Sequence, residues 1–228
     1  MKLKRIPLAM FAAAMGVASL AGAEVLNVAW RGNGDNTRVD YTGLGAAPDL
    51  VANTKWNNVD TLSNNDTSTI SSLVYSDNSA ATGISIELHA VSSYTPGGSP
   101  TLALFNGQLN APVAGGYVGL DIKGLDDSKT YDLYLYSARV PFDPEGTTFD
   151  VKGVQQSLTG SHNTSTFVLG DNYVKFSSVS PTASDLYIEF GGGNYGGVFN
   201  GMQVVEVPEP AALSLLALGG LVLIRRRQ

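Results

Sequence analysis

Short stretches in which apolar and polar residues alternate fill most of the chain between residues 24 and 206. The clearest is residues 131–136, where Asp132 is the only charged residue among three Tyr and two Leu. Local alternation and enrichment in Tyr, Val, Ile and Thr are typical of half-buried β-strands. The pattern therefore predicts strands at residues 25–30, 84–91, 117–122, 131–138, 165–169, 173–179, 186–190 and 202–207.

Turn-forming residues separate these stretches. Gly, Pro, Asp and Asn cluster at residues 123–127, 141–146 and 170–172, and such residues favour the backbone conformations of turns. Residues 33–79 are rich in Asn, Asp, Thr and Ser, which predicts long loops packed on the strands. No amphipathic helical pattern occurs between the predicted strands. Short strands joined by turns predict an all-β fold, an antiparallel β-sandwich or jelly roll, in one domain at residues 24–206.

Residues 1–23 have the pattern of a secretory signal peptide. Three basic residues precede an apolar stretch at residues 6–20. Ala21 and Ala23 then supply the small side chains that signal peptidase requires, with cleavage predicted before Glu24. The basic residues are Lys2, Lys4 and Arg5. The pattern predicts export, with signal peptidase as the first processing partner.

A second apolar segment occupies residues 211–224 and is followed by Arg225, Arg226 and Arg227. Its 14 residues would span about 21 Å as a helix, which is short of a bilayer core of about 30 Å. Snorkelling arginines lengthen the effective span. Because basic residues mark the cytoplasmic side of a membrane segment, the preceding domain is expected outside. We predict an apolar membrane helix with the arginines as a cytoplasmic stop.

Pro208, Glu209 and Pro210 stand immediately before this apolar run. Proline fixes φ and lacks a backbone N–H, so the stretch should be extended and accessible. The order of Pro-Glu-Pro, apolar run and arginines resembles the PEP-CTERM sorting signal of Gram-negative, exopolysaccharide-producing bacteria. The resemblance implies a sorting segment at residues 207–228 that an exosortase-type membrane protease recognises and processes. It also implies transient retention in the inner membrane, then delivery to the cell surface or extracellular matrix.

The charge of the exported domain limits its partners. Outside the two targeting segments lie 8 basic and 19 acidic residues, a formal charge of −11. Such a balance disfavours nucleic acid and anionic lipid, since phosphate binding needs clustered Lys and Arg. It is compatible with neutral sugars, with cations such as calcium, or with no ligand.

Metal and cofactor chemistry is restricted by composition. The chain has no Cys and two His, which excludes thiolate sites and disfavours a His-rich zinc site. We predict no cofactor. A structural calcium ion held by Asp and Asn oxygens in the loops is the metal that the composition allows.

No constellation in the sequence predicts a catalytic residue. Residues 191–196 match G-x-G-x-x-G, but a strand pattern follows where a dinucleotide site needs a helix, so these glycines predict a bend or bulge. The histidines lie outside known hydrolase motifs, and the acidic pairs fall in turns, where carboxylates bond their own backbone. The histidines are His89 and His162, and the pairs are Asp126 with Asp127 and Asp143 with Glu145.

Sugar binding requires exposed aromatic rings beside polar groups, because the apolar face of a sugar packs on a ring while its hydroxyls bond fixed donors and acceptors. Trp56, flanked by Asn57 and Asn58, is the first candidate, followed by Tyr94 and Tyr195. The alternative for each is a partly buried aromatic that covers the end of the sandwich.

A second resemblance is spread over the domain. The segments 40–49, 56–59, 81–86, 125–136 and 199–204 together resemble exported β-sandwich domains related to galactose-binding-like folds. The resemblance implies a jelly roll. Carbohydrate binding follows from it only by analogy, since function belongs to sites rather than folds.

Two functional hypotheses remain open from the sequence. The favoured one is an exported, noncatalytic surface or matrix protein delivered by a PEP-CTERM and exosortase system, with exopolysaccharide as its candidate ligand. The alternative is a small exported enzyme that acts on polysaccharide through carboxylates brought together by the fold.

Overall fold

Strands dominate the regular structure, which we describe from a computed structural model. The described residues are 23–31, 40–47, 55–61, 64–95, 100–111, 115–139, 146–158, 164–193 and 196–208. They contain thirteen strands and one short 3-10 helix, Ala103–Asn106. The strands are β1 Val25–Trp30, β2 Asn57–Val59, β3 Thr69–Ile70, β4 Ser85–His89, β5 Ser92–Tyr94, β6 Gln108–Asn110, β7 Tyr117–Lys123, β8 Tyr131–Tyr136, β9 Thr147–Val151, β10 Val154–Leu158, β11 Tyr173–Val179, β12 Asp185–Gly191 and β13 Gly201–Glu206.

The strands form two main sheets and a small pair. A five-stranded sheet has the order β11-β8-β13-β1-β2, and a six-stranded sheet has the order β10-β9-β12-β7-β4-β3. Strands β5 and β6 pair with each other. All pairings are antiparallel except β1 with β2. The predicted all-β antiparallel sandwich is confirmed.

The core lies between the two main sheets. Alternate residues point inward, such as Leu120 and Ile122 on β7 and Leu133 and Leu135 on β8, and all four are fully buried. Four aromatic rings form the centre, with edge-on contacts of Phe199 against the other three at 5.1 to 6.0 Å between ring centroids. The other three are Trp30, Phe149 and Phe190. Burial of this apolar area, at about 25 cal/mol per Å², holds the sheets together without disulfides.

Most predicted strands occur close to their predicted bounds. Residues 25–30 and 173–179 match β1 and β11, and the predictions around β4, β7, β8, β12 and β13 differ only at their ends. The short strands β2 and β3 lie inside the segment predicted as loops. The β9–β10 hairpin was not predicted. Its two-residue turn, Lys152 and Gly153, has positive φ at both positions, as a type I′ turn requires.

The predicted strand at residues 165–169 is wrong. Only Leu169 makes an isolated bridge there. The buried Asn172 side chain instead accepts a hydrogen bond from Val168 N–H at 2.8 Å and donates one to Thr166 C=O at 2.7 Å. Because this amide satisfies the local backbone, the segment folds as a loop. Phe167 then packs on the ring of Tyr136, with 5.0 Å between centroids.

The predicted membrane segments fall largely outside the described residues, which contain neither residues 1–22 nor residues 209–228. Among the residues that the structure describes, no helix has the length and apolar character needed to cross a bilayer.

Candidate functional site

The outer surfaces of the two main sheets differ. The outer side of the five-stranded sheet, here called the covered face, is buried beneath loops. Its cluster includes Val25, Ala29, Tyr134, Tyr136 and Val205 from the sheet and Tyr41, Trp56, Leu104 and Phe105 from the covering segments. The outer side of the six-stranded sheet, here called the open face, meets solvent. It presents Glu87, His89, Tyr117, Gly119, Asp121, Lys123, Asp185, Tyr187, Glu189 and Gly191.

A buried polar network attaches the loop at residues 40–47 to the covered face. Gln203 donates to Asn27 Oδ1 at 2.8 Å and accepts from Ala47 N–H at 3.0 Å. The Tyr136 hydroxyl donates to the same Gln203 oxygen and accepts from Ala46 N–H at 2.7 Å. Burial raises the pKa of Tyr136 well above its ordinary value, so the hydroxyl stays protonated. Satisfied buried networks of this kind fix a loop in one position.

Trp56 belongs to this covered face, which corrects its selection as a sugar platform. Its side chain is only 3% exposed, and its Nε1–H donates to Gly43 C=O at 2.8 Å. The ring packs edge-on against Tyr41, with 4.9 Å between centroids. The neighbouring Asn57 bonds backbone rather than solvent, donating to Asn27 C=O and Val74 C=O. Trp56 therefore covers the sheet, which is the alternative that the sequence left open.

On the open face, the Tyr187 ring lies directly over a glycine of the neighbouring strand. A Cβ added at Gly119 would overlap the end of the Tyr187 ring, so the ring occupies space that any other residue would fill. Tyr187 remains 43% exposed. Burial, with the nearby charges of Glu189 and Asp121, raises its pKa. The glycine thus allows a neutral aromatic ring to lie against the sheet with its other side in solvent.

Tyr117 repeats this arrangement two residues along the sheet. It pairs with Gly191, where an added Cβ would overlap the Gly116 carbonyl oxygen and would meet both Cα and Cγ of Tyr117 at 2.8 Å. Its hydroxyl oxygen lies 3.6 Å from the Cβ position at Gly192, so the ring extends along the two glycines. Tyr117 is 46% exposed. Gly119 and Gly191 are diagonal neighbours in the β7–β12 pair, about 7–8 Å apart, which places both rings on one surface.

Charged and polar groups border the two rings. His89 Nε2 lies 2.9 Å from Asp121 Oδ2, and the His89 ring meets the Tyr187 ring edge-on at 5.9 Å between centroids. Lys123 lies 3.2 Å from Asp185, 3.3 Å from Glu87 and 3.8 Å from Asp121. Hydrogen bonds to Asp185 and then Glu87 raise the pKa of Lys123. Rings flanked by fixed acceptors and donors suit a flat polyhydroxylated ligand.

Sequence reasoning missed this surface. Tyr117 and Gly119 alternate within one strand, which was a local sign that both point outward. The rings, however, lie over glycines of a neighbouring strand. No short sequence motif reveals the strand register that brings each ring next to its glycine. Only the pairing of β7 with β12 brings the four residues together.

Of the other two binding candidates, only Tyr94 is among the described residues. Tyr94 ends the small strand β5 and is 45% exposed, so it remains a candidate ring without a described partner surface. Tyr195 lies outside the described residues, as do Ala21, Glu209, Pro210 and the arginines at residues 225–227. Ala23, Glu24 and Pro208 are described and lie at the ends of the domain.

Among the described residues, we looked for side chains arranged to bind a metal ion and for the features that the sequence predicted at residues 191–196 and at Asp126. Among them, no group of three or more His, Asp or Glu side chains is arranged to hold a metal ion. The predicted structural calcium stays a prediction. The glycines at residues 191–193 leave β12, and β13 follows with no helix in the described part between them, as the predicted bend requires. The acidic turn at Asp126 accepts hydrogen bonds from Ser128, which lower the pKa of its carboxyl.

Comparison with known proteins identifies the C-terminal segment. Residues 206–228 match the family model of the PEP-CTERM protein-sorting motif. The chain therefore carries this sorting motif, which confirms the resemblance seen in the sequence. The motif marks an exported protein that is held transiently at the membrane and processed by an exosortase-type protease. No curated protein matches the chain.

Several solved structures are partly similar in fold. An exo-β-1,3-galactanase from Phanerochaete chrysosporium aligns with a TM-score of 0.32 and 14% identity, over 50% of this chain and 26% of its own. A GH26-CBM35 β-(1,4)-mannanase from Podospora anserina aligns with a TM-score of 0.33 and 15% identity, over 56% and 29%. TmCBM61 in complex with β-1,4-galactotriose aligns with a TM-score of 0.27 and 9% identity, over 56% and 90%. The chain thus spans less than a third of either glycosidase, and the likeness does not define a function.

Proposed function

We propose that the protein is an exported, noncatalytic domain that holds polysaccharide on its open face, at the cell surface or in the extracellular matrix of a Gram-negative bacterium. The observation that carries the proposal is the pair of exposed rings, Tyr117 and Tyr187, each lying against a glycine of the neighbouring strand. The flat aromatic surface suits the apolar face of a sugar, and the bordering carboxylates and His89 suit its hydroxyls.

The charge of the open face favours neutral glycans. Glu87, Asp121 and Asp185 surround a single cation, Lys123, and Glu189 lies on the same face. An anionic glycan would bring further negative charge to this surface, which opposes binding at low ionic strength. A neutral hexose polymer meets no such penalty and can use the carboxylates as hydrogen-bond acceptors.

The contacts of these carboxylates support binding rather than turnover. Glycoside hydrolysis needs two carboxyl groups about 5 to 10 Å apart across the scissile bond, one of them protonated. Here Lys123 engages three carboxylates within 3.8 Å, so these carboxylates already serve as partners of one cation.

Calorimetric titration of the exported protein with neutral hexose oligosaccharides and uronate oligomers tests the proposal. Tyr117→Ala and Tyr187→Ala should each weaken binding of a neutral oligosaccharide about 10-fold, or about 1.4 kcal/mol. Tyr94→Ala is the matched control, because Tyr94 is equally exposed but has no described glycine beneath it. Its binding should equal that of the unmodified protein.

The same titrations distinguish the alternatives. Release of shorter sugars during incubation would favour the enzyme hypothesis. Tighter binding of uronate than of neutral oligomers would contradict the charge argument. Equal affinities in all three tyrosine variants would remove the open face as the site.

A further inference from the structure

The signal-peptidase bond and the start of the sorting segment leave the domain side by side. Strands β1 and β13 are antiparallel, with Val25 opposite Val205. One position further, Glu206 N–H donates to Glu24 C=O at 2.9 Å. The predicted scissile bond, Ala23–Glu24, is therefore directly next to the first hydrogen bond of the β1–β13 ladder.

The folded domain shelters this bond. Ala23 is only 7% exposed and belongs to the hydrophobic cluster of the covered face, together with Val25 and Val205. A protease must draw several extended residues on both sides of the bond into its cleft. In the folded domain the residues after the bond are paired in the sheet, so cleavage requires β1 to separate from β13.

The order of strands in the sheet makes β13 the main pairing partner of β1, next to the Ala23–Glu24 bond. β13 lies between β8 and β1 in the five-stranded sheet. Without it the strand pairing that remains to β1 is the short parallel one with β2, over three residue pairs, and Val25 C=O keeps the hydrogen bond from Ser76 N–H at 2.7 Å. β13 is also the last strand along the described chain. During export from the N-terminus onward, β1 crosses the membrane long before its main partner.

We infer that β13 acts as a latch on signal-peptide removal: the bond before Glu24 is open to signal peptidase until β13 inserts beside β1, and is closed afterwards. Insertion of β13 also fixes the start of the sorting segment. Val207 N–H donates to Thr130 C=O at 2.9 Å, and Lys129 bonds Glu206 at 2.7 Å. The inference rests on the predicted signal peptide but not on glycan binding. Removal of the signal peptide thus precedes presentation of the sorting motif.

An engineered disulfide can hold the latch shut. Val25 and Val205 form a non-hydrogen-bonded pair, because the hydrogen bond runs between their neighbours Glu24 and Glu206. Such pairs have Cα atoms about 4.5 Å apart, within the range of a disulfide. Since the chain has no cysteine, the double variant Val25→Cys/Val205→Cys contains one thiol pair. Thr148→Cys/Ser157→Cys is the matched control, because these hydroxyls lie 2.8 Å apart in the distant β9–β10 hairpin.

The test uses refolded full-length precursor in detergent with purified signal peptidase. Oxidation of Val25→Cys/Val205→Cys should slow cleavage before Glu24 at least about 10-fold, because the open state is no longer populated, and reductant should restore the rate. Oxidation of the hairpin control should change the rate less than about 2-fold, since its crosslink leaves β1 free to open.

A third variant tests the opposite direction. Val204→Pro removes a ladder N–H of β13 and should accelerate cleavage of the refolded precursor. Equal cleavage rates for the oxidised and reduced forms of Val25→Cys/Val205→Cys would contradict the inference. Equal cleavage rates for Val204→Pro and the unmodified precursor would contradict it as well. Absence of cleavage in every sample, including Val204→Pro, would mean that signal peptidase does not cut before Glu24. The inference would then fail because the signal peptide on which it rests is wrong. Glycan titration of the same folded samples reports the proposed function separately.

Discussion

The covered face and the open face have similar aromatic residues but opposite relations to solvent. Tyr134 and Tyr136 on the five-stranded sheet are 4% and 0% exposed, whereas Tyr117 and Tyr187 on the six-stranded sheet are 46% and 43% exposed. The difference comes from the loops. Those over the covered face bring their own rings and a satisfied polar network. Tyrosine in a strand therefore predicts a half-buried surface, and the loops determine whether that surface is core or site.

Glycines play different parts on the two faces. At Gly45 an added Cβ would overlap the Gln203 amide, which is fully buried. At Gly119 the nearest atoms that it would overlap belong to the outer end of the Tyr187 ring. One glycine lets a loop approach a rigid network, and the other leaves room for a ring that can move into solvent. The same substitution should therefore damage stability on one face and binding on the other.

The largest effect that separates the faces is expected for Trp56→Ala. Removing this buried ring leaves a cavity and frees Gly43 C=O, which should lower the free energy of unfolding by about 3–5 kcal/mol. Chemical denaturation followed by circular dichroism measures the loss. The molecules that remain folded should bind neutral oligosaccharides as before. Weaker binding at unchanged stability would instead return Trp56 to the binding site.

A matched pair of glycine substitutions gives the next effect. Gly45→Ala should lower the free energy of unfolding by about 1–3 kcal/mol, because it displaces a buried amide from its partners. Gly119→Ala should change stability by less than about 1 kcal/mol, since the exposed ring can swing aside. Its oligosaccharide affinity should nevertheless fall, because the ring no longer lies along the sheet. Denaturation and calorimetry on both variants test the pair, and the reverse pattern would contradict the assignment of the two faces.

The two faces also show which parts of the structure could be predicted from the sequence. Strands such as β7, β11 and β12 were predictable because their alternation reflects one buried side. The selection of Trp56 as a binding residue was wrong because the polar Asn57 beside it suggested ligand contacts. The side-chain amide of Asn57 instead donates hydrogen bonds to backbone carbonyl groups. The open face could not be predicted, because contacts such as that of Tyr187 with Gly119 join strands far apart in sequence. The sorting motif was recognisable in the sequence because its residues are contiguous, and the family model matches it at residues 206–228.

The smallest expected effect lies in alkaline solution. Burial on the covered face raises the pKa of Tyr41 to about 12, from an ordinary value of 10.0. Between these values the unfolded chain loses the proton while the folded domain keeps it. The stabilisation from the protonated hydroxyl is therefore complete below pH 10 and is lost as pH rises toward 12. At pH 11 the loss should be about 1 kcal/mol.

Tyr41→Phe should remove this part of the pH dependence, although it also loses the hydrogen bond to Leu44 C=O at every pH. The informative quantity is the slope of the unfolding free energy between pH 9 and 11, measured by urea denaturation at several pH values. Tyr187→Phe on the open face should make that slope less steep as well, because burial, with the nearby charges of Glu189 and Asp121, also raises the pKa of Tyr187. Equal slopes for the unmodified protein and Tyr41→Phe would mean that the loop at residues 40–47 opens before Tyr41 ionises. The covered face would then be closed only near neutral pH.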